Sequence, residues 1–191
     1  MTSSSELNAD ETQSVPVSPT LLAQQRYVSI LAKVPDELAH YVLAWRDAQP
    51  EIDDSGSVHI TVLVSPEPDN MGNVFESLRN ALSGTGSIPV TVGEPASFSP
   101  ITAVSYLTID EGADELIRLN AISEHAAGAS ASPFDYHPHI TLAQHVPENV
   151  ILRSLEHFAQ IPERLKHFEI DTLRVYEFDG QMWRGIGSID L

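Results

Sequence analysis

Two stretches of the chain, Val58–Val64 (VHITVLV) and His137–Ala143 (HPHITLA), share the pattern His-Ile-Thr followed by Val or Leu. Both are short runs rich in branched apolar residues, a composition typical of β-strands. A strand sends alternate side chains to opposite faces. Each copy is therefore expected to bury its Ile and the following Val or Leu, and to present a His and a Thr side by side on the other face.

The predicted elements around the two copies indicate the fold class. Apolar alternation predicts strands at residues 26–34, 58–64, 88–92, 103–109, 137–143, 165–177 and 182–189. Helical spacing predicts helices at residues 35–48, 71–82, 112–126 and 147–160. Each half of the chain carries one motif at a similar place in its order of elements. This pattern predicts an α+β fold and is consistent with an internal duplication.

Length and composition place limits on organisation and location. A chain of 191 residues is long enough for one domain with a substantial core. Residues 1–25 are rich in Ser, Thr, Glu and Pro, so we predict a disordered tail there and a single two-lobed domain at 26–191. The chain has no cysteine, and no apolar run is long enough to cross a bilayer. The N-terminus also lacks a signal-peptide pattern. We therefore predict a cytoplasmic monomer with no membrane partner.

The charge balance limits the partners further. Acidic residues number 27 against 10 basic ones, which gives a formal net charge of −17. Surfaces that follow a nucleic-acid backbone need clustered Lys and Arg, and this sequence has no such cluster. A small ligand with one or two phosphates needs only one or two local cations. The composition thus disfavours long duplex nucleic acid and favours a nucleotide or an oligonucleotide end.

Two histidines and two threonines that faced each other would suit acid–base chemistry on a phosphodiester. Imidazole titrates near pH 6.5, so a pair supplies one neutral base and one charged acid near neutral pH. Threonine hydroxyls can donate hydrogen bonds to the non-bridging phosphate oxygens, where negative charge grows in the transition state. This scheme requires neither a metal nor a cofactor.

The paired motifs resemble those of the two-histidine phosphoesterase superfamily, in particular its 2′-5′ RNA ligase-like branch, which includes RNA cyclic phosphodiesterases. The segment 134–143 (FDYHPHITLA) is similar to the second motif of that branch, in which Pro precedes the His and Leu-Ala follows the Thr. The resemblance extends over about residues 26–191. It implies a pseudo-two-fold, bilobal arrangement of two antiparallel sheets around a central groove, with the helices outside.

The resemblance also implies a set of catalytic residues and a reaction. The implied catalytic residues are His59, Thr61, His139 and Thr141. The implied reaction is the metal-independent opening of 2′,3′-cyclic phosphates, on nucleotides or short RNA ends, to 2′-phosphates. We expect His139 to activate water and His59 to protonate the leaving oxygen.

Several further residues are candidates for substrate binding. The aromatic residues and the cation that lie near predicted strands or the second motif are Phe98, Tyr136, His137 and Arg26. Lys33 and Arg174 are two more possible phosphate-binding cations. In branches that act on RNA, an Arg often lies close to the second motif, whereas Gln144 and His145 occupy that place here. This departure weakens an RNA-processing role more than it weakens phosphodiester chemistry.

Three alternatives remain open at this point. The first is a 2′-5′ RNA ligase or a hydrolase of another small cyclic phosphate. The second is a non-catalytic module that binds a nucleotide. The third is a zinc or manganese hydrolase that uses His59, His137 and His139, although the sequence lacks the clustered Asp and Glu ligands usual in two-metal sites.

Overall fold

The computed structural model describes residues 26–52, 56–66, 71–129 and 135–191. The predicted tail at residues 1–25 lies outside the described residues. The eight strands are β1 (Tyr27–Lys33), β2 (His59–Pro66), β3 (Ile88–Ser97), β4 (Val104–Glu111), β5 (His139–Gln144), β6 (His167–Ile170), β7 (Thr172–Phe178) and β8 (Trp183–Asp190). The four α-helices are α1 (Asp36–Asp47), α2 (Met71–Leu82), α3 (Ala113–Ala127) and α4 (Glu148–Phe158), and a 3₁₀ turn lies at Glu163–Leu165.

All eight strands belong to one curled antiparallel sheet with the order β6-β3-β4-β5-β2-β1-β7-β8. The first lobe of the molecule is the group β2, β1, β7 and β8, which contains the first motif strand. The second lobe is the group β5, β4, β3 and β6, which contains the second. The motif strands β2 and β5 are thus neighbours at the centre of the sheet, where the two lobes meet.

Among the residues that the structure describes, a single pair joins the two lobes in the sheet. Ile60 of β2 and Ile140 of β5 are the Cα partners of that join, and both side chains are fully buried. The predicted α+β, bilobal fold is confirmed, and its two sheets are continuous through this pair. Pairing stops there because the two strands diverge on either side of it, and this divergence opens the space between the lobes.

Each motif strand packs against a helix from the other half of the sequence. Helix α1, from the first half, lies beneath β5 and against α4, where Trp45 meets Phe158 edge-on with ring centroids 5.4 Å apart. Helix α3, from the second half, packs on β2 and against α2. Both helices carry fully buried leucines, such as Leu38 and Leu116, into one continuous core. The two halves of the sequence are therefore interlocked.

The prediction of one strand at residues 165–177 was wrong. The structure has the 3₁₀ turn there, then β6, then β7. Strand β6 pairs with β3 in the second lobe, whereas β7 pairs with β1 in the first, and only Asp171 separates them. The apolar alternation changes phase across Asp171, from Phe168 and Ile170 to Leu173 and Val175, but this shift does not show that the two strands pair in different lobes.

Strand β3 is longer than the predicted strand at 88–92. Gly93 lies just beyond the end of the predicted strand, but it belongs to β3 and is buried. A Cβ at this position would collide with the side chains of Asp110 and Thr108. Gly93 is thus a strand glycine that permits the close approach of β4. None of the helices in the described part of the chain is long and apolar enough to cross a membrane.

Candidate active site

The four motif side chains lie on the face of the sheet opposite the core. Because Ile60 and Ile140 point into the core, the residues on either side of each point away from it. All four motif side chains, His59, Thr61, His139 and Thr141, are half-buried. Since β2 and β5 are antiparallel, Thr61 comes next to His139 and His59 comes next to Thr141. The structure therefore brings the two predicted His-Thr pairs together.

Each motif strand contains a β-bulge directly after its threonine. In β2, Thr61 pairs with Leu31 and Leu63 pairs with Ile30, so Val62 has no partner on β1. In β5, the pairing with β4 skips Leu142 in the same way, between Thr141 and Ala143. Bulges are common beside active sites, where they redirect side chains and end regular pairing. The two motifs are thus equivalent in backbone structure as well as in sequence.

The carbonyl groups at these bulges accept hydrogen bonds from side chains. Arg46, which is buried, donates from Nη2 to Thr141 O at 2.7 Å and from Nε to Leu142 O at 2.9 Å. It also donates from Nη1 to Gly56 O, just before β2, at 3.0 Å. Arg46 therefore links β5 to the segment just before β2, beyond the point where the two strands pair directly.

The equivalent carbonyls of the first motif have different donors. Tyr136 donates from its hydroxyl to Thr61 O at 2.9 Å, and Asn120 donates from Nδ2 to Val62 O at 2.8 Å. Burial raises the pKa of Tyr136 far above its ordinary value of 10.0, so its hydroxyl stays protonated and remains a donor. Asn120 is buried on α3.

The His139 imidazole has a defined orientation. Its Nδ1 lies 2.7 Å from the backbone carbonyl oxygen of His137, which only accepts, so Nδ1 carries the hydrogen and Nε2 is left with a lone pair. The rings of Phe98 and Tyr106 meet the imidazole edge-on, each with a centroid distance of 5.2 Å. Chiefly because of burial, the pKa of His139 lies below the ordinary 6.5. At neutral pH the ring is a neutral base.

His59 has a more polar environment. Its Nδ1 lies 3.2 Å from the hydroxyl of Ser57, which can act as donor or acceptor. On the neighbouring strand, Lys33 is the register partner of His59, so an ammonium group extends from the same region of the sheet. The surroundings of the two histidines therefore differ: one lies among aromatic rings, and the other lies beside a hydroxyl and a cation.

A cavity of about 500 Å³ opens beside Thr61 and His139, where β2 and β5 diverge. Its walls are largely apolar and come from the end of β2, the β3–β4 turn and the segment before β5; they include Val64, Phe98, Ile101 and Tyr136. Asn120 and two carboxylate residues, Glu124 and Asp135, also line it. The volume is that of a small-molecule site rather than of a channel for a nucleic-acid strand.

The other predicted binding residues fall in different places. Phe98, Tyr136 and His137 all line the cavity with His139. Arg26 forms an ion pair with Glu177 at the end of the first lobe and is not among the residues that line the cavity. Lys33 and Arg174 line a second, smaller cavity of about 240 Å³.

Sequence reasoning missed three residues that shape the site. Arg46 and Asn120 were read only as positions on helices, and Tyr106 only as a strand residue. Arg46 carried a detectable signal, because it follows the apolar Val42 and Trp45 on the buried side of α1. For Asn120 and Tyr106 nothing in the sequence indicates that their partners lie on β2 and beside His139.

Among the residues that the structure describes, no cluster of three or more His, Asp or Glu side chains is arranged to hold a metal ion. His137 and His139 do lie near each other, with stacked rings whose centroids are 6.3 Å apart. His139 already uses Nδ1 in its bond to the His137 carbonyl.

Comparison with known proteins agrees with this geometry. The family model described as the 2′-5′ RNA ligase superfamily matches residues 34–181, which include both motifs and most of the chain. The chain belongs to this superfamily, the two-histidine phosphoesterases. A search of curated proteins found no significant match.

Solved structures share the fold. E. coli LigT in its apo form has a TM-score of 0.65 at 16% sequence identity, and the match covers 88% of this chain and 98% of that one. LigT complexed with 3′-AMP has a TM-score of 0.65 at 17% identity, with 87% and 98% covered. The protein TT0787 of Thermus thermophilus has a TM-score of 0.59 at 12% identity, with 86% and 97% covered. At these identities the likeness concerns the fold.

Proposed function

We propose that this protein is a metal-independent cyclic phosphodiesterase that opens 2′,3′-cyclic phosphates of nucleotides or short RNA ends to 2′-phosphates. One observation carries the proposal. Two His-x-Thr motifs lie on adjacent antiparallel strands and face the same way, and one of the imidazoles has its Nδ1 held by a backbone carbonyl. Membership of the phosphoesterase superfamily supports the same reaction class.

The geometry favours His139 as the base. Its Nε2 lone pair takes a proton from water, and the water oxygen attacks phosphorus. The bond from phosphorus to O3′ then breaks, and O3′ takes a proton from His59, so the product has a 2′-phosphate and a free 3′-hydroxyl. The hydroxyls of Thr61 and Thr141 donate to the non-bridging oxygens, where charge accumulates. Each acid–base role is typically worth about 10²–10⁴-fold in rate.

The cavity supports a small substrate. Its apolar walls match the faces of a nucleobase, and Phe98 and Tyr136 offer aromatic surfaces for stacking. Glu124 and Asp135 in the lining would repel a second phosphate-rich strand. With the net charge of −17, this disfavours ligation of two RNA strands and favours hydrolysis of a nucleotide or a short end. The proposed partner is therefore a small cyclic phosphate bound by a monomer.

The test is hydrolysis of 2′,3′-cyclic nucleotides in the presence of EDTA. His59→Ala and His139→Ala are each expected to lose turnover by at least about 10²-fold. His125→Ala is the matched control, since it removes an exposed imidazole at the end of α3. Full activity in both motif variants, or loss of wild-type activity with EDTA, contradicts the proposal. A wild type that binds but does not turn over any cyclic nucleotide points to the nucleotide-binding alternative.

A further inference from the structure

The bulge carbonyls of each motif are bound by a side chain from the other half of the sequence. Arg46 belongs to α1, before the first motif, but it donates to Thr141 O and Leu142 O of the second motif. Asn120 belongs to α3, before the second motif, but it donates to Val62 O of the first. In each motif the carbonyls that accept are those of the threonine and of the residue after it, so the arrangement has pseudo-two-fold symmetry.

These hydrogen bonds compensate for the sheet pairing that is lost at the two bulges. A bulge leaves backbone groups without their regular ladder partners. Val62 and Leu142 are fully buried, so unpaired carbonyls at these positions would be costly. Arg46 takes over as donor to the second motif and, through Gly56 O, links β5 to the segment just before β2. Asn120 takes over as donor to the first motif and links β2 to α3. The two side chains therefore hold the backbone directly after each motif threonine.

The separation of the strands determines the distance across the site. The groups proposed to act on the phosphodiester project from the two strands at this divergence. A shift of about 1 Å in such groups can lower a rate on the order of 10²-fold. A donor that fixes the backbone directly after Thr61 or Thr141 thus fixes the side chains that precede it.

We propose that Arg46 and Asn120 are positioning residues, each of which holds the motif strand of the opposite half at the spacing that the reaction requires. Arg46 orients His139 and Thr141, and Asn120 orients His59 and Thr61. Tyr136, which donates to Thr61 O, assists Asn120. The role rests on the proposed function, but it concerns residues outside the two motifs.

The chain offers a matched control for the loss of a buried helix-to-strand hydrogen bond. Ser154 of α4 donates to the carbonyl oxygen of Ile151 and accepts from the Ser105 hydroxyl of β4, each at 2.6 Å, and both serines are fully buried. This bond joins α4 to β4, which neighbours β5, but neither serine side chain donates to a bulge carbonyl of a motif. Ser154→Ala therefore reports the effect of such a loss on stability alone.

The experiment compares Arg46→Lys, Asn120→Ala and Asn120→Asp with Ser154→Ala. Asn120→Asp keeps the shape of the side chain and removes the amide donor. With a 2′,3′-cyclic nucleotide as substrate, below each unfolding temperature, the Arg46 and Asn120 variants are expected to lose on the order of 10- to 100-fold in kcat. For Arg46→Lys, KM is expected to change by less than about threefold, since the lost bonds act on the strands rather than on bound substrate. Asn120 lines the cavity, so its variants are judged on kcat at saturating substrate. Ser154→Ala is expected to lower the unfolding temperature by a comparable amount and to keep its kcat.

Folded variants of Arg46 and Asn120 that keep wild-type kcat overturn the proposal and leave the proposed function intact. If the wild type hydrolyses no cyclic nucleotide, the proposed function fails instead, and NMR titration of the histidine rings decides the positioning role. Arg46→Lys is then expected to move the His139 resonances more than those of His59, and Asn120→Ala the reverse. Equal shifts in both rings, or the same shifts in Ser154→Ala, would overturn it.

Discussion

The backbone carbonyl of His137 holds the imidazole of His139, with 2.7 Å between the oxygen and Nδ1. Because a carbonyl oxygen cannot donate, this contact selects the tautomer in which Nε2 is free to accept a proton. The bond depends on the backbone before β5, where Pro138 restricts the chain, and not on the His137 side chain. This backbone bond therefore sets the tautomer and the ring orientation of His139, whereas the proposed role of Arg46 is to position the strand that carries it.

A first prediction concerns the pH dependence of activity. Burial holds the pKa of His139 below 6.5, so the proposed base stays neutral into mildly acidic solution. The kcat/KM profile is expected to keep its plateau at pH 6.5 and to fall only at lower pH, as His139 becomes protonated. Steady-state rates between pH 4.5 and 8 check this. A midpoint at or above 6.5 on the acidic side would exclude His139 as the base.

A related prediction concerns stability. Burial lowers the pKa values of both His139 and His157 in the folded protein, so the unfolded chain binds more protons as the pH falls below about 6.5. The free energy of unfolding is expected to decrease from there down to the folded-state pKa values. Urea titrations at pH 7.5, 6.5 and 5.5 measure the change. In the double variant His139→Ala/His157→Ala the decrease is expected to be smaller.

Phe98 is expected to affect both binding and the base. Its ring stacks on Tyr106 with a centroid distance of 4.2 Å, lines the cavity and covers His139 edge-on. In Phe98→Ala, lost stacking is expected to raise KM for a cyclic nucleotide about tenfold, since aromatic–base stacking is worth about 1–3 kcal/mol. Water then reaches His139, so its pKa is expected to rise toward 6.5. NMR titration measures the pKa of His139, and steady-state kinetics measure KM. Phe98→Leu is the control, because it keeps an apolar side chain over His139 and removes the aromatic ring.

The join between the lobes allows a prediction of stability. Ile140 is fully buried at the pair with Ile60. Ile140→Ala is expected to cost about 2–5 kcal/mol in the free energy of unfolding, and Ile140→Val about 0.5–1.5 kcal/mol. Chemical denaturation measures both. A cost for Ile140→Ala below that of Ile140→Val would mean that the join contributes little to the core.

Two glycines of β8 form a matched pair for a further test. A Cβ added at Gly187 would lie 2.5 Å from Phe75 Cζ, whereas one added at Gly185 would meet Tyr176 at an ordinary 3.7 Å. Gly187→Ala is expected to destabilise the protein by about 1–3 kcal/mol through overpacking against α2. Gly185→Ala is expected to be close to neutral. Equal unfolding midpoints for the two variants would contradict the packing of α2 on β8.

The sequence was sufficient to predict the two motif strands, their buried isoleucines and all four helices. These features depend on local periodicity, and the helix Met71–Leu82 was predicted with the same ends that the structure has. The features that escaped prediction depend on contacts between distant residues. The bond from Arg46 to Leu142 spans 96 positions in the chain, and that from Asn120 to Val62 spans 58. No pattern within one element specifies such partners.

The same limit applies to the change of partner at Asp171. Apolar alternation reports which face of a strand is buried, but both lobes bury their strands on the same core. Ile170 and Leu173 are both buried although they lie three positions apart, so the alternation changes phase at Asp171, but the phase change does not identify the new partner strand. Only the register shows that Ile170 pairs with Ile88 and Leu173 pairs with Ala32.

That one-residue crossing also ties the two lobes of the molecule together. Strands β6 and β7 belong to different lobes, so Asp171 fastens the lobes together at the end near Ile88 and Lys33. The cavity lies toward the opposite end of the strands, near Val64 and Phe98. The lobes are therefore tied by the chain itself at one end and by the Ile60–Ile140 pair at the centre of the sheet, and the cavity lies beyond both connections.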